Sequence, residues 1–378
     1  MSERNRGLPI IVLEGKSPRE RGRAHGETLK DMIREHRDRW EQNMHSDTGL
    51  DMETYLAQLL SETNFIPAIK RWTPGLLEEV RGIAEGAGID FRYVLARQLS
   101  DEEPWYRREK KMAMTSGRGC SSIGLNATDR HPTMIGQNMD TPVWYDGHQT
   151  LFHHKGPDLP VEIFNLAVPG KINLCGMNSN GVSICCNTLS QLDYSKKGLP
   201  EDFVVRGFLE QPILEKGLEF IHAISHASGQ NYVIAEPGSR AINLEASANK
   251  VVEYKPTDIT DRLVHTNHPL VNDDQGIYRK AMGVTENSDK LMPAFAGSTI
   301  PRFEELDKRL NDPAMQPTID DMKAAFSSHE GPVCRHPDDS RTQDVITLGC
   351  MIMELSSSPV FHIAPGPPCT TPFKTYHF

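Results

Sequence analysis

The chain has 378 residues, of which 38% are hydrophobic and 24% charged, which is typical of a folded globular protein and excludes collagen-like or largely disordered classes. Residues 1–119 carry 20 basic and 20 acidic side chains, so the net charge of −10 lies wholly in residues 120–378. This sign argues against nucleic acid and anionic membranes as partners. No apolar run suits a transmembrane helix and no secretory signal is recognised, so a cytoplasmic protein is expected.

The N-terminal part of the chain is predicted to be mainly helical after a short strand at residues 8–13. A capping box with proline in the first turn, at residues 17–20, begins a helix predicted to run to about residue 43. Gly22 and Gly26 lie inside it, and they indicate the close approach of another backbone because glycine otherwise disfavours a helix. Another helix is predicted within residues 73–88, between a Thr-Pro start and two glycines.

From residue 120 onwards the pattern changes to short alternating strands separated by Gly, Pro or Asn turns. The charged and then small, polar residues 101–119 are typical of a loop or linker. Strands are predicted at residues 122–125, 133–137, 161–166, 172–175, 181–186, 232–235, 241–245, 251–254, 345–355 and 360–364. Helices are predicted at residues 200–211, 217–226, 303–311 and 318–327. The order of helices and strands predicts an α+β layered sandwich.

The seven cysteines are odd in number and include no Cys-x-x-Cys motif, so a disulfide framework is not expected. Cys185 and Cys186 lie in an apolar run and are interpreted as core residues. Cys120 differs from the others because it follows Gly-Arg-Gly at a predicted loop-to-strand junction. A side chain at such a junction can be exposed at the edge of a sheet, which makes Cys120 a candidate nucleophile.

The histidines do not predict a metal site. His265 and His268 could suggest zinc, but no third ligand follows at a suitable spacing, so neither a metal nor a cofactor is expected. His153 and His154 are interpreted as solvated residues at the end of a strand. His25, on the first helix, is interpreted as a packing histidine with one hydrogen-bonded nitrogen.

The surroundings of Cys120 resemble a known family. Gly119-Cys120-Ser121-Ser122 and the Gly-Gln-Asn-Met-Asp segment 136–140 resemble two elements of the acyl-coenzyme A:6-aminopenicillanate acyltransferase family, whose members are self-processing cysteine N-terminal-nucleophile (Ntn) hydrolases. Other segments resemble family elements in the same order, at residues 15–26, 82–88, 231–232, 244–246, 265–268, 340–342 and 365–369. The resemblance implies a four-layer αββα sandwich, with residues 1–119 as a mainly helical small subunit and residues 120–378 as a large one.

Cleavage of the Gly119–Cys120 peptide would place a thiol and an α-amine on one residue. An α-amine has a pKa of about 7.7–8.0, so roughly a third of it is neutral at pH 7.5 and can act as a general base. Cleavage itself would proceed by attack of the Cys120 sulfur on the Gly119 carbonyl, which gives a thioester that water hydrolyses. Glycine before the cysteine is expected to tolerate strained backbone angles at the scissile bond.

The resemblance also implies roles for other residues. Asn267 would donate its amide to the oxyanion or orient the α-amine, and Asp140 would support the nucleophile and processing. Ser340 and Arg341 would lie near the site, where Arg341 could hold a substrate carboxylate. Alternatives remain, because Asp140 could cap a turn, Asn267 could be a turn residue and Arg341 could form a structural ion pair. Asn138 could orient Asp140 or close a hairpin.

The predicted function is hydrolysis of a small N-acyl amine or N-acyl amino acid through a thioester on Cys120, by an α–β heterodimer whose further homo-oligomerisation is left open. One alternative is an acyltransferase that moves an acyl group from a thioester or amide donor to an amine. Others are a catalytically silent binding protein on the same scaffold and a cysteine protease with a distant histidine. Trp144, Tyr145 and Phe152 either line the substrate site or pack in the core.

Overall fold

The computed structural model describes residue 8 and residues 10–112, 119–256, 261–283, 298–311, 317–337 and 344–378. The chain divides into two compact units, the first formed by Met1–Thr115, Gly147–Ser179 and Tyr194–Ser228 and the second by Ser116–Asp146, Asn180–Asp193 and Gly229–Phe378. Both units contain helices and strands, which confirms the predicted α+β class. Across the described parts of the chain, no helix combines the length and apolar character needed to cross a bilayer.

Helices dominate the described part of the chain before residue 110, and strands dominate the part after residue 119. The helices are α1 (Pro18–Thr28), α2 (Lys30–Thr48), α3 (Met52–Glu62), α4 (Ile66–Trp72), α5 (Pro74–Ala87), α6 (Phe91–Arg97), α7 (Glu103–Glu109), α8 (Glu201–Leu209), α9 (Leu214–Ala223), α10 (Gly276–Met282), α11 (Thr299–Leu310) and α12 (Ile319–Phe326). The strands are β1 (Ile10–Glu14), β2 (Gly119–Leu125), β3 (Thr133–Pro142), β4 (Thr150–Lys155), β5 (Ile163–Ala167), β6 (Cys175–Asn178), β7 (Ser183–Thr188), β8 (Gln230–Ala235), β9 (Ile242–Ala246), β10 (Val251–Tyr254), β11 (Arg262–His265), β12 (Val345–Leu355), β13 (Val360–Ala364) and β14 (Lys374–His377).

In the first unit, glycines bring α1 and α5 into backbone contact. A Cβ on Gly22 would lie 2.0 Å from the carbonyl oxygen of Glu79, and one on Gly82 would lie 2.1 Å from that of Arg19. Real Cβ atoms essentially never approach so closely, so no larger residue fits, and the predicted close approach is confirmed. The predicted single helix from residue 18 is instead two helices, because the backbone leaves the helical conformation at Leu29.

The first unit also contains β1, β4, β5 and β6, and α8 packs on β6. The interpretation of His153 and His154 as solvated is wrong, because both are buried on β4 and bond to Glu162 (2.7 Å) and Asn165 (2.6 Å). The interpretation of His25 is confirmed, because its buried Nε2 accepts the Gly170 N–H at 3.0 Å. Burial lowers the pKa of His25 to about 3, so the ring is neutral.

The second unit stacks two antiparallel sheets. One has the order β7-β8-β9-β10, and the other has the order β11-β2-β3-β12-β13-β14. Strands β2 and β3 face β7 and β8, while α11 and α12 cover the opposite face of β2, β3 and β12. Apolar side chains of both helices and the sheet form the core there, among them Ile123, Leu306, Met322, Phe326 and Ile352. Helix, sheet and sheet therefore follow one another as layers in this unit.

Candidate active site

Cys120 lies in β2, a central strand of the six-stranded sheet. The register places Cys120 opposite Met139 and Gly119 opposite Asp140 on β3. Successive side chains of a strand point to opposite faces. Cys120 therefore shares a face with Ser122, whose hydroxyl donates to Asn187 on β7, so it points to the face that packs on β7. Asp140 points to the other face, under α11 and α12. The sulfur and the carboxylate are therefore on opposite sides of the sheet.

Asn267 contacts the backbone nitrogen of Cys120. Strand β11 runs antiparallel to β2, and His265 at its end lies opposite Ser122. Asn267 follows His265 by two residues, just as Cys120 precedes Ser122 by two, so the same register brings Asn267 to Cys120. The Cys120 N–H donates to Asn267 Oδ1 at 2.8 Å, and Asn267 Nδ2 donates to the Thr188 carbonyl at 3.1 Å. The amide therefore turns its oxygen, and not its NH2 group, toward Cys120. This contact shows that Asn267 has more than the turn-forming role left open above.

The first turn of α11 holds Asn267 in place. Thr299 Oγ1 accepts the Asn267 N–H at 2.8 Å, and Arg302, one turn later on the same helix face, donates to Asn267 Oδ1 at 2.7 Å. Arg302 also donates to the Cys120 carbonyl at 2.6 Å and to Ser121 Oγ at 2.9 Å. Burial and the neighbouring Arg335 lower the pKa of Arg302 to about 9, which leaves the guanidinium charged at neutral pH.

Asp140 forms part of a buried charged group on the helix side of the sheet. Thr347 Oγ1 donates to its Oδ1 at 2.7 Å, and Arg335 Nε lies 3.1 Å from its Oδ2. Burial raises the pKa of the Asp140 carboxyl, while the charges of Arg335 and Arg302 oppose that rise. The alternative that Asp140 caps a turn is wrong, because the residue lies within β3 and pairs with Gly119 across the ladder.

Gly119 lies against the same charged group. A Cβ at this position would be 3.2 Å from Asp140 Oδ2. It would also be 3.3 Å from the Nη2 atom of Arg302 and 3.3 Å from that of Arg335. Space favours glycine here, because a side chain would push against the carboxylate and both guanidinium groups. The expected backbone strain at the scissile bond stays a prediction.

The remaining predicted residues have different positions. Asn138 neither orients Asp140 nor closes a hairpin, because its Nδ2 donates to the carbonyls of Phe326 (2.8 Å) and Val333 (3.0 Å) and anchors the segment after α12. Ser340 and Arg341 lie outside the described residues, so their roles stay predictions. Phe152 belongs to the core of the first unit, since it is fully buried against His25.

The two histidines considered for zinc bind to different partners. His265 Nε2 lies 2.8 Å from Glu245 Oε1, whose carboxylate also accepts the N–H groups of Leu270, Val271 and Asn272. His268 Nδ1 lies 3.0 Å from Thr299 Oγ1 on α11. Glu245 therefore fixes the backbone that follows Asn267, and the histidines serve to position this segment.

Sequence reasoning missed three polar residues of the site. Arg302 and Arg335 surround Gly119 and Asp140, and Asn187 on β7 accepts a hydrogen bond from Ser122 Oγ at 2.9 Å. The Nδ2 of Asn187 is buried with no hydrogen-bond partner among the described residues. Arg302 lies one residue before the helix predicted at residues 303–311, so the pattern did not mark it; the structure places it inside α11, where a buried arginine must find partners.

Comparison with known proteins adds a family. Residues 126–360 match the model of the family described as acyl-coenzyme A:6-aminopenicillanic acid acyl-transferase. The chain is similar to the 40 kDa form of acyl-coenzyme A:6-aminopenicillanic-acid-acyltransferase of Emericella nidulans, at 26% identity over 257 residues, which is 68% of either protein. The matched range begins after Cys120, so the role of Cys120 as the nucleophile stays a prediction.

Two solved structures show more distant similarity. One is a mutant conjugated bile acid hydrolase from Clostridium perfringens, at 14% identity and a TM-score of 0.44, which covers 68% of this chain and 97% of that one. The other is penicillin V acylase from Agrobacterium tumefaciens, at 14% identity and a TM-score of 0.42; the match covers 68% of this chain and 86% of the acylase chain. Similarities this distant do not bear on the substrate.

Proposed function

Because the chain belongs to the acyl-coenzyme A:6-aminopenicillanic acid acyltransferase family, we propose that it cleaves itself before Cys120 and then hydrolyses the amide bond of a small N-acyl amine or N-acyl amino acid. The family predicted from the motifs is confirmed, and so is the enzyme class, an amide-acting hydrolase or acyltransferase. The roles of individual residues, the cleavage and the choice of hydrolysis are the proposal.

The contact between Asn267 Oδ1 and the Cys120 nitrogen carries this proposal. After cleavage the nitrogen becomes an α-amine, and a hydrogen bond to a fixed amide oxygen would orient its lone pair. The amine can then take the proton of the neighbouring thiol, because its ordinary pKa lies near neutral pH. Of the two roles first considered for Asn267, orientation of the amine is the better supported, since its NH2 group donates to Thr188.

Turnover would follow with the same atoms. The Cys120 thiolate attacks the substrate carbonyl, the tetrahedral intermediate expels the amine, and water attacks the resulting thioester. The developing oxyanion needs a fixed donor, and the buried, unpartnered Nδ2 of Asn187 is the best candidate on the β7 side. We propose Arg341 as the group that holds a substrate carboxylate, with Ser340 beside it.

Self-cleavage would use the charged group around Gly119. Asp140, Arg302 and Arg335 surround this residue, and Arg302 also binds the Cys120 carbonyl. We propose that they hold the scissile peptide while the Cys120 sulfur attacks the Gly119 carbonyl. The products would be residues 1–119 and 120–378, which remain together as a heterodimer.

Intact-mass measurement and N-terminal sequencing test this proposal directly. Active wild-type protein should contain a chain that begins Cys-Ser-Ser, whereas Cys120→Ala should remain whole and inactive. Cys175→Ala, which removes a buried thiol from the first unit, is the matched control and should be cleaved normally. Whole protein that still turns over an N-acyl substrate would refute the mechanism and favour a cysteine protease with a separate histidine.

Acyl transfer is the second candidate function, and the name of the fungal relative favours it. The same acyl-enzyme serves both reactions, and only the acceptor differs. Hydroxylamine or an amine added with the acyl donor separates them, because a transferase gives mainly the acylated amine. A catalytically silent binding protein would give neither product and would leave no acyl group on Cys120.

A further inference from the structure

Four potential metal ligands meet in the second unit, apart from the residues discussed so far. His329, Cys334 and His336 belong to the segment 327–337 that follows α12, and Cys369 lies between β13 and β14. One ligand atom from each side chain lies within 4.8 Å of all the others. Cys334 and Cys369 are 35 positions apart, which explains why motif spacing did not reveal the cluster.

The distances suit a tetrahedral site. The two sulfurs are 3.4 Å apart, and His336 Nε2 lies 3.7 Å from the sulfur of Cys334 and 3.0 Å from that of Cys369. With Zn–S bonds of about 2.3 Å and Zn–N bonds of about 2.0 Å, a tetrahedron separates its ligand atoms by roughly 3.3–3.8 Å. Cys334, His336 and Cys369 are therefore within about 0.5 Å of tetrahedral separations, and the ligand atom of His329 lies within 4.8 Å of each of them.

We propose that His329, Cys334, His336 and Cys369 bind one Zn²⁺ in a structural site. Two thiolates and two imidazoles are a donor set that zinc prefers, and four protein ligands leave no open position for a reacting water. A bound ion would tie the C-terminal segment to the segment after α12. This inference concerns metal binding and stands whether or not the proposed function is correct.

The site would also fix a residue next to Gly119. Cys334 and His336 lie on either side of Arg335, and their side chains turn to the metal cluster while that of Arg335 turns to Asp140. The Arg335 N–H donates to Thr347 Oγ1, and the Thr347 N–H donates to the Arg335 carbonyl, at 2.9 and 3.1 Å. A metal on one side of this segment and an ion pair on the other would hold it in one conformation.

Elemental analysis of the full chain tests the site without any activity assay. Protein purified without chelators, then incubated with Zn²⁺ and desalted, should retain about one zinc per chain. X-ray absorption should show two sulfur and two nitrogen neighbours, and Co²⁺ in place of zinc should give the absorption bands of a tetrahedral thiolate site. Wild-type protein that retains no zinc, or zinc bound only by nitrogen and oxygen, would overturn the proposal.

Variants identify the ligands. Cys369→Ser and His336→Gln should lose zinc to a chelating resin that leaves the wild-type ion in place, while His377→Gln, an exposed histidine on β14, should retain it. Thiol counting after denaturation with a chelator should find all seven cysteines reduced. Two fewer thiols, with a disulfide mapped between Cys334 and Cys369, would mean that the pair is a covalent crosslink and would refute a metal site.

Discussion

Replacement of Arg302 by lysine tests how the buried charges act on Cys120, the proposed nucleophile. The guanidinium donates to three acceptors at once, namely the Cys120 carbonyl, Ser121 Oγ and Asn267 Oδ1, at 2.6 to 2.9 Å. A lysine would preserve the positive charge opposite Asp140, but a single ammonium cannot span all three acceptors. The variant therefore separates the effect of the guanidinium's hydrogen-bond geometry from the effect of its charge.

The expected loss of activity follows from the number of hydrogen bonds that lysine cannot replace. A hydrogen bond to a charged group contributes about 1.5–3 kcal/mol, so loss of two would cost roughly 3–6 kcal/mol before water or the ammonium compensates. If about half of that cost appears in the transition state, kcat/KM falls by roughly 10-fold to 100-fold, since each 1.4 kcal/mol is a factor of ten. The rate of self-cleavage should fall by a similar factor.

The assay compares single-turnover self-cleavage and steady-state turnover of Arg302→Lys with those of Arg309→Lys. Arg309 lies on the same helix, pairs with Glu305 and is partly exposed, so its replacement should leave both rates unchanged. The expected loss in Arg302→Lys should appear in kcat, because the position of the nucleophile is altered more than substrate binding. Wild-type rates of cleavage and turnover in Arg302→Lys would refute the reasoning.

Four further predictions concern space and titration. Gly119→Ala should slow self-cleavage about 10-fold or more, because a Cβ would displace the surrounding charged groups, and timed intact-mass spectra would show this; cleavage at the wild-type rate would contradict it. Gly82→Ala should lower the free energy of unfolding by about 3 kcal/mol, as overpacking against the Arg19 carbonyl does, and an unchanged urea midpoint would contradict it. Because the pKa of His25 is lowered to about 3, its contribution to the free energy of unfolding is fully present above pH 6.5 and falls by about 2 kcal/mol by pH 5. The free energy of unfolding of His25→Gln, measured with urea, should therefore fall less than that of the wild type over this range. Burial raises the pKa of Glu102 to about 8, so the stability that Glu102 contributes falls as the pH rises, which is the opposite of His25. Glu102→Gln should therefore lose less stability than the wild type as the pH rises from about 5 to 7. For either variant, a pH profile of stability parallel to that of the wild type would refute the predicted pH dependence.

Local patterns predicted much of the fold. The β12–β13 hairpin has the predicted bounds, Val345–Leu355 and Val360–Ala364, because two mostly apolar runs on either side of a Ser-Pro turn specify it locally. The helix of residues 74–87 also agrees, since it begins at a proline and ends at a glycine in the left-handed conformation. The break at Leu29 was missed, because no Gly or Pro marks it.

The candidate site was only partly predictable. Cys120, Asn267 and Asp140 were found from motifs, and the strand registers explain why Cys120 is close to Asn267 and why Gly119 is opposite Asp140. The sequence could not show that Asp140 lies on the face of the sheet opposite the sulfur. Arg302 was missed because the partners that satisfy its guanidinium are about 180 positions away.

The sequence by itself determined the family, the α+β class and the bounds of several strands, among them Val251–Tyr254, because these depend on short motifs and on the spacing of apolar residues. It also singled out Cys120 as the candidate nucleophile. The tertiary structure alone decided which way the Asn267 amide turns, why residue 119 is glycine, and which four side chains form a metal-ligand cluster. Each of these depends on distances between residues that are far apart in the chain, and the packing of sheets and helices sets those distances.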